Sequence, residues 1–277
     1  MKFWKYQGIG NDFIVLDGMN GIAVNADLCR RMCDRNFGIG ADGVLYVLPG
    51  KNGSDITMRV INADGSEAEM CGNGIRCVSK YVYDNGIVKS TSFTVNTLRG
   101  NLKVDVSVNN GKVETVRVNM GAPILECSKI PMNCPDRFIN QTIECCDIDV
   151  NGTAVSMGNP HFVTFDVIDN ITIDELGPAL ESHPVFPKRA NIEFAKIRDG
   201  KIYIRVYERG AAWTLACGTG ACATATAAAL NKLVPFDTPI DVHLPGGWLK
   251  ITVDSKLQYV LMEGPATYVY SGEYITG

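Results

Sequence analysis

Two cysteines of this 277-residue chain lie in matching glycine-rich motifs that could carry acid–base chemistry. Cys71 begins the motif Cys-Gly-Asn-Gly, and Cys217 begins Cys-Gly-Thr-Gly. Glycines allow a sharp turn and a close approach by a ligand, and the free N–H groups of a first helical turn bind anions such as a carboxylate. The positive end of a helix also lowers the pKa of a neighbouring thiol. We therefore expect one of these cysteines to act as a thiolate base.

The two motifs belong to an internal duplication. Arg59 precedes Cys71, and Arg205 precedes Cys217, by the same 12 residues (71 − 59 and 217 − 205). A second pair of sequences agrees, because Gly-Asn-Asp-Phe-Ile-Val in the first half matches Gly-Asn-Pro-His-Phe-Val in the second. The cysteine motifs are 146 residues apart (217 − 71) and the asparagine motifs 148 (159 − 11). Nearly equal offsets for two separate motifs predict two homologous domains that face each other.

Two such cysteines on opposite sides of a bound amino acid could invert its α-carbon. A thiolate would remove the α-proton from one face and a thiol would return a proton to the other, while the helix ends would stabilise the charge on the carboxylate. This is the chemistry of a two-base racemase or epimerase. The sequence has no phosphate-binding or dinucleotide-binding glycine motif, no CxxC pair and few histidines, so we expect no cofactor and no metal site.

Other functions of the paired cysteines stay open at this point. Two facing thiols could form a redox disulfide, although the duplicated anion-binding turns would then have no use. A cysteine hydrolase would need one nucleophile with a histidine, and the duplication would be surplus. A protein that only binds an amino acid in the same cleft is the non-enzymatic alternative.

Composition excludes several classes of protein. The hydrophobic fraction of 46% and the charged fraction of 20% are typical of a folded globular protein and exclude disorder. A net charge of −4 without basic runs argues against nucleic acid as a partner. No apolar stretch reaches membrane-spanning length and the first residues lack a signal-peptide core, so we expect no membrane association and a cytoplasmic location. The ten cysteines are then expected to be free thiols.

Apolar alternation predicts that antiparallel sheet dominates, with one core helix in each half. The predicted hairpins join residues 102–108 to 113–118, 192–197 to 201–207, and 249–253 to 259–262. Helices are predicted over residues 74–84 and 220–230, and a third follows a cap at Asn25 and ends at 36–38. Cys29 and Cys33 would lie on its apolar face as core residues.

The chain closely resembles the cofactor-independent diaminopimelate epimerases. The segments that carry the resemblance occur in family order along nearly the whole chain: 8–13, 62–67, 71–77, 157–161, 208–210 and 215–222. The resemblance implies an α/β (α+β) fold of two pseudo-symmetric domains, each a mostly antiparallel or mixed β-sheet around a central α-helix, with the active site in the interdomain cleft. We expect one domain to comprise residues 1–118 and 263–277 with Cys71, and the other residues 119–262 with Cys217.

The resemblance also implies the reaction and its residues. Members interconvert L,L- and meso-2,6-diaminopimelate without a cofactor, in lysine and peptidoglycan precursor synthesis, and form homodimers. Cys71 and Cys217 would be the acid–base pair, with His161 and Glu208 tuning the thiols. The implied substrate-binding residues are Asn11, Asn62, Gly72, Asn73, Asn159, Asn191, Glu208, Arg209, Gly218 and Thr219.

Three residues could have purely structural roles, and a second kind of enzyme is an alternative function. From the residues alone, His161 could anchor a turn, Glu208 could pair with Arg209, and Trp213, which departs from the family pattern, could serve packing. A racemase of another amino acid, such as the related proline racemases, is the alternative. A substrate without a distal amino acid group would not use Asn62, Asn191 and Arg209, whose side chains suit a carboxylate and an ammonium group.

Overall fold

The computed structural model describes residues 1–21, 24–166 and 170–275. The chain divides into two compact units, residues 1–119 with 263–277 (unit 1) and residues 120–262 (unit 2). Strands predominate over helices in the described residues, so the predicted mixed α/β fold class is confirmed. No described helix is long and apolar enough to cross a membrane.

The strands and helices are numbered along the chain. The strands are β1 Lys2–Gly8, β2 Asn11–Asp17, β3 Gly43–Pro49, β4 Ile56–Asn62, β5 Glu67–Ala68, β6 Ser92–Thr97, β7 Gly100–Asn109, β8 Lys112–Asn119, β9 Gln141–Cys145, β10 Ile148–Ser156, β11 Pro160–Thr164, β12 Asn191–Arg198, β13 Lys201–Glu208, β14 Ala212–Thr214, β15 Ile240–Leu244, β16 Gly247–Val253, β17 Val260–Pro265 and β18 Thr267–Glu273. The helices are α1 Ala26–Cys33, α2 Gly72–Asp84, α3 Asn170–Glu181 and α4 Gly218–Leu230.

In unit 1, helix α2 packs against strands β1, β2 and β8. Most neighbouring strands run antiparallel, with parallel pairs at β2–β3 and β4–β6. The helix begins directly after Cys71 and buries Ile75, Val78 and Val82, the apolar residues whose spacing predicts it. Apolar burial on this face therefore holds the Cys-Gly-Asn-Gly turn at a fixed place on the sheet.

The predicted helix α1 is confirmed. The Asn25 side chain accepts a hydrogen bond from the Leu28 N–H, and Cys29 and Cys33 are buried among apolar side chains. The helix ends at Cys33, before residues 36–38, because the Asp34 carboxylate accepts the N–H groups of Asn36 and Phe37 and turns the chain.

In unit 2, helix α4 packs against several strands, including β10, β11 and β16. Its residues are almost all buried alanine, threonine and cysteine, so strands can approach it closely on several sides. The hydroxyls of Thr224 and Thr226 donate to carbonyls of the preceding turn, which satisfies their polar groups in a buried position.

The predicted hairpins form at the expected places. β7 pairs with β8 and β12 pairs with β13, and the turn residues Asn110, Gly111, Asp199 and Gly200 all have positive φ, as type I′ turns require. β16 and β17 also form, and the Asp254 N–H donates to the Tyr259 carbonyl between them.

Helix α3 is missing from the sequence prediction. Pro178 lies inside it, and proline normally argues against a helix interior. Ile173, Leu176 and Leu180 nevertheless pack into a core with Phe162. Tertiary burial of this apolar face outweighs the local preference.

Trp213 has the packing role expected of it. Its ring lies 5.9 Å from that of Phe194 and 5.3 Å from that of Tyr207, and the Arg205 guanidinium stacks on it at 4.2 Å. The aromatic and cation–π contacts account for a tryptophan at this position.

Cys127 and Cys134 form a disulfide, so the expectation that all ten cysteines are free thiols is wrong for this pair. The loop between them brings their α-carbons within 5.8 Å, a separation that allows the bond and that no composition argument reveals. The other eight cysteines, including Cys71 and Cys217, are free.

Candidate active site

Cys71 caps the N-terminus of α2 with its sulfur. The residue has extended backbone, and the Gly74 N–H donates to Cys71 Sγ at 3.3 Å. A methyl group at Gly74 would lie 2.8 Å from Leu45 Cδ2, so any larger residue would have to displace the end of the Leu45 side chain. The thiol thus takes the place that a serine or aspartate oxygen usually has in an N-cap.

Asn11 connects this thiol to a carboxylate. Asn11 Oδ1 lies 3.8 Å from Cys71 Sγ and accepts a hydrogen bond from Asn73 Nδ2 at 3.2 Å. The Asn11 amide group donates to Asp42 Oδ2 at 2.6 Å. Because Asp42 binds the NH₂ end, the oxygen of Asn11 is turned toward the thiol and Asn73. We call Asn11, Cys71 and Asn73 the Cys71 cluster.

Asp42 is itself held by charged neighbours that sequence reasoning missed. Arg35 Nη2 lies 2.7 Å from both Asp42 Oδ1 and Asp12 Oδ1, and Lys5 Nζ lies 2.5 Å from Asp12 Oδ2. Burial opposes ionisation of Asp12, but the hydrogen bonds from Arg35 and Lys5 hold its pKa below the usual range. The ion-pair network therefore stays charged and keeps Asn11 in position.

Asn62 lies at the end of β4, where it pairs with Gly43. Its side-chain amide donates to Ser66 Oγ at 2.9 Å, and its N–H donates to the Ser66 carbonyl at 2.8 Å. These bonds fix the turn that follows the strand.

Cys217 caps α4 in the same way that Cys71 caps α2. The Gly220 N–H donates to Cys217 Sγ at 3.3 Å, and Thr219 Oγ1 lies 3.5 Å from the sulfur. The duplication thus extends from sequence to hydrogen bonding. The surroundings differ, because the Cys217 side chain is buried whereas that of Cys71 is half-buried.

The lowered thiol pKa that a helix N-terminus favours is not found at Cys217. Burial raises its pKa well above the ordinary value, and the nearby carboxyl group of Glu208 raises it further. Hydrogen bonds from Thr219 and from the Gly220 N–H act in the opposite direction and are the smaller effects. Cys217 therefore keeps its proton at neutral pH and is suited to act as an acid.

Glu208 lies at the end of β13 beside this thiol. Burial raises the pKa of its carboxyl group, while hydrogen bonds with Thr214 and Cys217 and the proximity of His161 lower it in part. Glu208 Oε1 accepts the Thr214 hydroxyl at 2.5 Å. The neighbours of Glu208 are therefore residues of the site, so its role is not limited to a pairing with Arg209.

His161 lies fully buried on β11, within a series of hydrogen-bonded polar side chains. His161 Nδ1 is 2.6 Å from Glu193 Oε1, and Nε2 is 3.1 Å from Asn159 Oδ1. Asn159 Nδ2 then lies 3.3 Å from Thr219 Oγ1, which adjoins the Cys217 sulfur. His161 is therefore more than a turn anchor. We call Asn159, His161, Glu193, Glu208, Cys217 and Thr219 the Cys217 cluster.

Sequence reasoning missed Glu193. Its strand alternates apolar and polar residues, which normally places a glutamate toward solvent. In the structure Glu193 is completely buried, because helix α4 packs against β12 and Gly220 leaves room for the carboxyl group. The pattern of the strand gives no signal for this burial, since Asn191, Lys196 and Arg198 are also polar.

Asn191 and Arg209 form a separate group in unit 2. The Arg209 N–H donates to Asn191 Oδ1 at 2.8 Å, and Asn191 Nδ2 donates to the Pro160 carbonyl at 3.1 Å. The exposed Arg209 guanidinium donates to the Lys188 carbonyl at 3.2 Å. Asn191 thus fixes the backbone of Arg209 and leaves most of its planar donor group open to a ligand.

Gly220→Ala is expected to lower activity by at least about tenfold, because general acid–base catalysis requires donor and acceptor within hydrogen-bond reach. A methyl group there would lie 2.7 Å from Glu193 Oε1 and 3.1 Å from Cys217 Sγ. Both groups would have to move. The measurement is steady-state epimerase kinetics together with the melting temperature.

The control for this variant is Ala225→Gly, which removes a methyl group from a buried position further along the same helix. It is expected to lower stability by about 1 kcal/mol with a smaller loss of activity. A Gly220→Ala enzyme with unchanged kinetics would contradict the assignment of this turn to the active site.

Within the described residues, no group of three or more His, Cys, Asp and Glu side chains is arranged to hold a metal ion. The sulfur atom of each cluster, with the carboxyl and imidazole groups of the Cys217 cluster, can take up and release protons, and the N-terminus of a helix is a general site for binding an anion.

Comparisons with known proteins agree with this geometry. The family model for diaminopimelate epimerase matches residues 3–126 and 153–269. The diaminopimelate epimerase of Pelotomaculum thermopropionicum is 46% identical over 280 residues, with 99% of each chain covered. That of Methanothermobacter thermautotrophicus is 44% identical, with 98% of this chain and 97% of the relative covered.

Solved structures share the fold at low sequence identity. A probable proline racemase from Agrobacterium radiobacter has a TM-score of 0.74 at 15% identity, covering 100% of this chain and 93% of that one. A hydroxyproline epimerase from Agrobacterium vitis has a TM-score of 0.73 at 15% identity, covering 98% and 90%. The full-length relatives, the family model and the paired cysteine caps lead to one conclusion: the chain belongs to the diaminopimelate epimerase family.

Proposed function

We propose that the protein interconverts L,L- and meso-2,6-diaminopimelate by a two-thiol mechanism. The observation that carries the proposal is the repeated cap, in which a free cysteine sulfur accepts the N–H of Gly74 in unit 1 and of Gly220 in unit 2. The names of the full-length relatives give the substrate. The mechanism requires the two thiols to act on opposite faces of one α-carbon.

The proposed reaction starts with Cys71 as the base, because Cys217 holds its proton. The Cys71 thiolate takes the α-proton, and the electron pair of the C–H bond passes into the α-carbon and its carboxylate. Cys217 then gives its proton to the opposite face and becomes the thiolate, while Cys71 ends as a thiol. The reverse reaction uses the same steps with the roles exchanged.

Stabilisation of the carbanion is the electrostatic part of the mechanism. The N–H groups of the first turns of α2 and α4, at Gly72, Asn73, Gly218 and Thr219, are proposed to bind the carboxylate at the reacting end. The hydrogen bond from Thr219 to Cys217 would stabilise the sulfur once it has lost its proton. Glu208 and His161 would tune the charge at this thiol.

The distal end of diaminopimelate carries a second amino acid group. We assign its carboxylate to Arg209, whose planar guanidinium can donate two parallel hydrogen bonds. Asn191 would contribute by fixing the Arg209 backbone, and Asn62 by offering an amide that can donate and accept. Asn11 and Asn159, whose carbonyl oxygens point toward Cys71 and His161, would meet the ammonium group at the reacting end.

Proton NMR in D₂O tests the function directly. Reduced protein is incubated with L,L-diaminopimelate, and the α-proton signal and the meso isomer are followed. Loss of the α-proton signal with formation of the meso isomer is the expected result. No loss from folded, reduced protein would overturn the substrate assignment, and turnover of proline or another amino acid instead would favour a racemase of that substrate.

The cellular role and assembly follow as further parts of the proposal. The product would serve lysine and peptidoglycan precursor synthesis in the cytoplasm, and the protein would act as a homodimer. Strand β18 supports the dimer, since Tyr268, Val269 and Tyr270 are 44%, 51% and 43% exposed on a strand that pairs with β1. Exposed aromatic and aliphatic side chains on such a strand are typical of an interface.

Val269→Lys is expected to convert the dimer to a monomer, because a charge at the centre of an apolar interface is left without a partner. Analytical ultracentrifugation at micromolar concentration measures the change. Leu233→Lys is the control, since it adds the same charge at an apolar residue in unit 2 that is 48% exposed. A wild-type protein that sediments as a monomer, or a Val269→Lys variant that remains dimeric, would contradict this interface.

A further inference from the structure

We propose that Glu193 is a positioning residue of the Cys217 cluster: it holds a proton against Nδ1 of His161, so that the opposite ring nitrogen donates to Asn159 and keeps Thr219 directed at the Cys217 sulfur. The inference rests on the proposed function for its kinetic part only. Glu193 does not touch the sulfur through a hydrogen bond of its own, so it acts through the three side chains between them.

The contact between Glu193 and His161 is short and fully buried. Glu193 Oε1 lies 2.6 Å from His161 Nδ1, and both side chains have 0% exposure. Gly220 leaves the room for the carboxyl group, because a methyl group there would lie 2.7 Å from Oε1. Glycine at position 220 thus leaves space for Glu193 Oε1 beside the first turn of α4.

The proton count of this pair follows from its surroundings. Glu193 Oε2 is buried and has no hydrogen-bond partner among the described residues, and an isolated negative charge there would be costly. A pair that is neutral overall carries two protons between it, one in the Oε1···Nδ1 contact and one on Nε2. The Nε2–H then faces Asn159 Oδ1 at 3.1 Å and donates to it.

The proton on Nε2 decides the direction of the remaining hydrogen bonds. With its oxygen bound to Nε2–H, Asn159 offers its NH₂ group to Thr219 Oγ1 at 3.3 Å. The Thr219 hydroxyl is then free to donate its own proton to Cys217 Sγ, 3.5 Å away. This donation stabilises a thiolate on Cys217.

The opposite tautomer of His161 would reverse the direction of these hydrogen bonds. If Nε2 carried no proton, it would need a donor, and the Asn159 amide would turn to supply its NH₂ group. Asn159 Oδ1 would then accept the Thr219 hydroxyl, which could no longer donate to the sulfur. The identity of the group at position 193 therefore controls how well Cys217 holds a negative charge.

The test compares Glu193→Gln with Glu193→Met. The glutamine NH₂ group can still donate to Nδ1, whereas methionine fills similar space without a donor. Nitrogen-15 NMR of the histidine rings is the first measurement, and with three histidines in the chain the His161 signals are assigned by replacing His183 and His243. We expect a proton fixed on Nε2 in the wild type and in Glu193→Gln, and mixed tautomers in Glu193→Met.

The second measurement is washout of the reacting α-proton in D₂O, started separately from each epimer. Glu193→Met is expected to slow washout from one epimer at least about tenfold more than from the other, because only one proton transfer uses the Cys217 thiolate. Glu193→Gln is expected to stay within about threefold of the wild type for both. Asp254→Asn, at another buried carboxyl group of unit 2, is the control and should change neither rate selectively.

The outcomes separate this proposal from the proposed function. An Nε2 proton that stays fixed in Glu193→Met, or is lost in Glu193→Gln, overturns the role of Glu193, as does an equal slowing of both epimers. Washout from neither epimer by the wild type, with the expected change of tautomer, would overturn the function and leave the role of Glu193 standing. If Glu193→Met does not fold, Glu193→Asp takes its place, since it retracts the carboxyl group from Nδ1.

Discussion

Replacing Cys217 with alanine is expected to lower kcat/KM for L,L-diaminopimelate by about 1000-fold or more, because general acid–base catalysis by one positioned group contributes about 10²–10⁴-fold. The variant loses the proton donor on one face of the α-carbon and the thiolate needed for the reverse reaction. Cys71→Ala is expected to have an effect of the same size on the other face. Steady-state kinetics in both directions measures the losses.

The N-cap role of these cysteines has to be separated from their chemistry. Alanine also removes the sulfur that accepts the Gly220 N–H, and the loss of a cap costs about 1 kcal/mol of stability. Cys217→Ser keeps an acceptor at the cap, since its hydroxyl oxygen can take the same N–H. The serine variant is therefore expected to melt near the wild-type temperature and yet lose activity, because a hydroxyl does not ionise readily in a buried site.

Cys222 and Cys77 supply matched controls in the same helices. Both are buried free thiols that follow Cys217 and Cys71, and burial raises the pKa of Cys77 to about 12. Replacing either with alanine is expected to lower the melting temperature and to leave kcat within about threefold of the wild type, as for an inert core cysteine. A Cys217→Ser enzyme with near-normal kcat would contradict the two-thiol mechanism.

The elements that carry the cysteines could be predicted from the sequence because their signals are local. Apolar spacing marks α2, the run of small residues marks α4, and asparagine or aspartate with glycine marks the turns of the hairpins. The Cys-Gly-x-Gly motifs then locate both caps. In each case the residues that determine the structure are close together in the chain.

The features that sequence reasoning missed depend on residues that are distant in the chain. Glu193 meets His161 because β11 and β12 are parallel neighbours, and Asp42 meets Asn11 because a loop returns to β2. The raised pKa of Cys217 is the same kind of effect. A helix N-terminus favours a thiolate, but burial of Cys217 and the carboxyl group of Glu208 outweigh it.

This difference between the two thiols gives the duplicated fold its asymmetry. Both sulfurs accept a glycine N–H, but Cys217 is buried beside Glu208 and keeps its proton, whereas Cys71 is half-buried beside a neutral amide held by Asp42. A two-base enzyme needs one protonated and one ionised group at rest. The duplicated motifs supply two equivalent caps, and the residues around each cap give its thiol a different environment.

Arg209→Ala is expected to lower kcat/KM for diaminopimelate by about 100-fold. Two charge-assisted hydrogen bonds to the distal carboxylate are worth about 3 kcal/mol together, and about 1.4 kcal/mol corresponds to a factor of ten. The wild-type guanidinium is exposed and its backbone is fixed by Asn191, so the side chain can turn to a ligand without disturbing the sheet. Arg209→Lys should recover part of the loss, since an ammonium group supplies the charge without the planar donor pair.

The decisive comparison is between substrates. A short amino acid lacks the distal carboxylate, so Arg209→Ala should leave its slow turnover, if measurable, nearly unchanged while turnover of diaminopimelate falls. Arg198→Ala, at an exposed arginine at the end of β12, is the control and should affect neither substrate. Equal losses for both substrates would mean that Arg209 supports the fold rather than the distal end, and a variant with unchanged kinetics toward diaminopimelate would favour an enzyme for shorter amino acids. The contrast between the two substrates therefore tests specificity independently of the two thiols, whose loss should abolish turnover of either one.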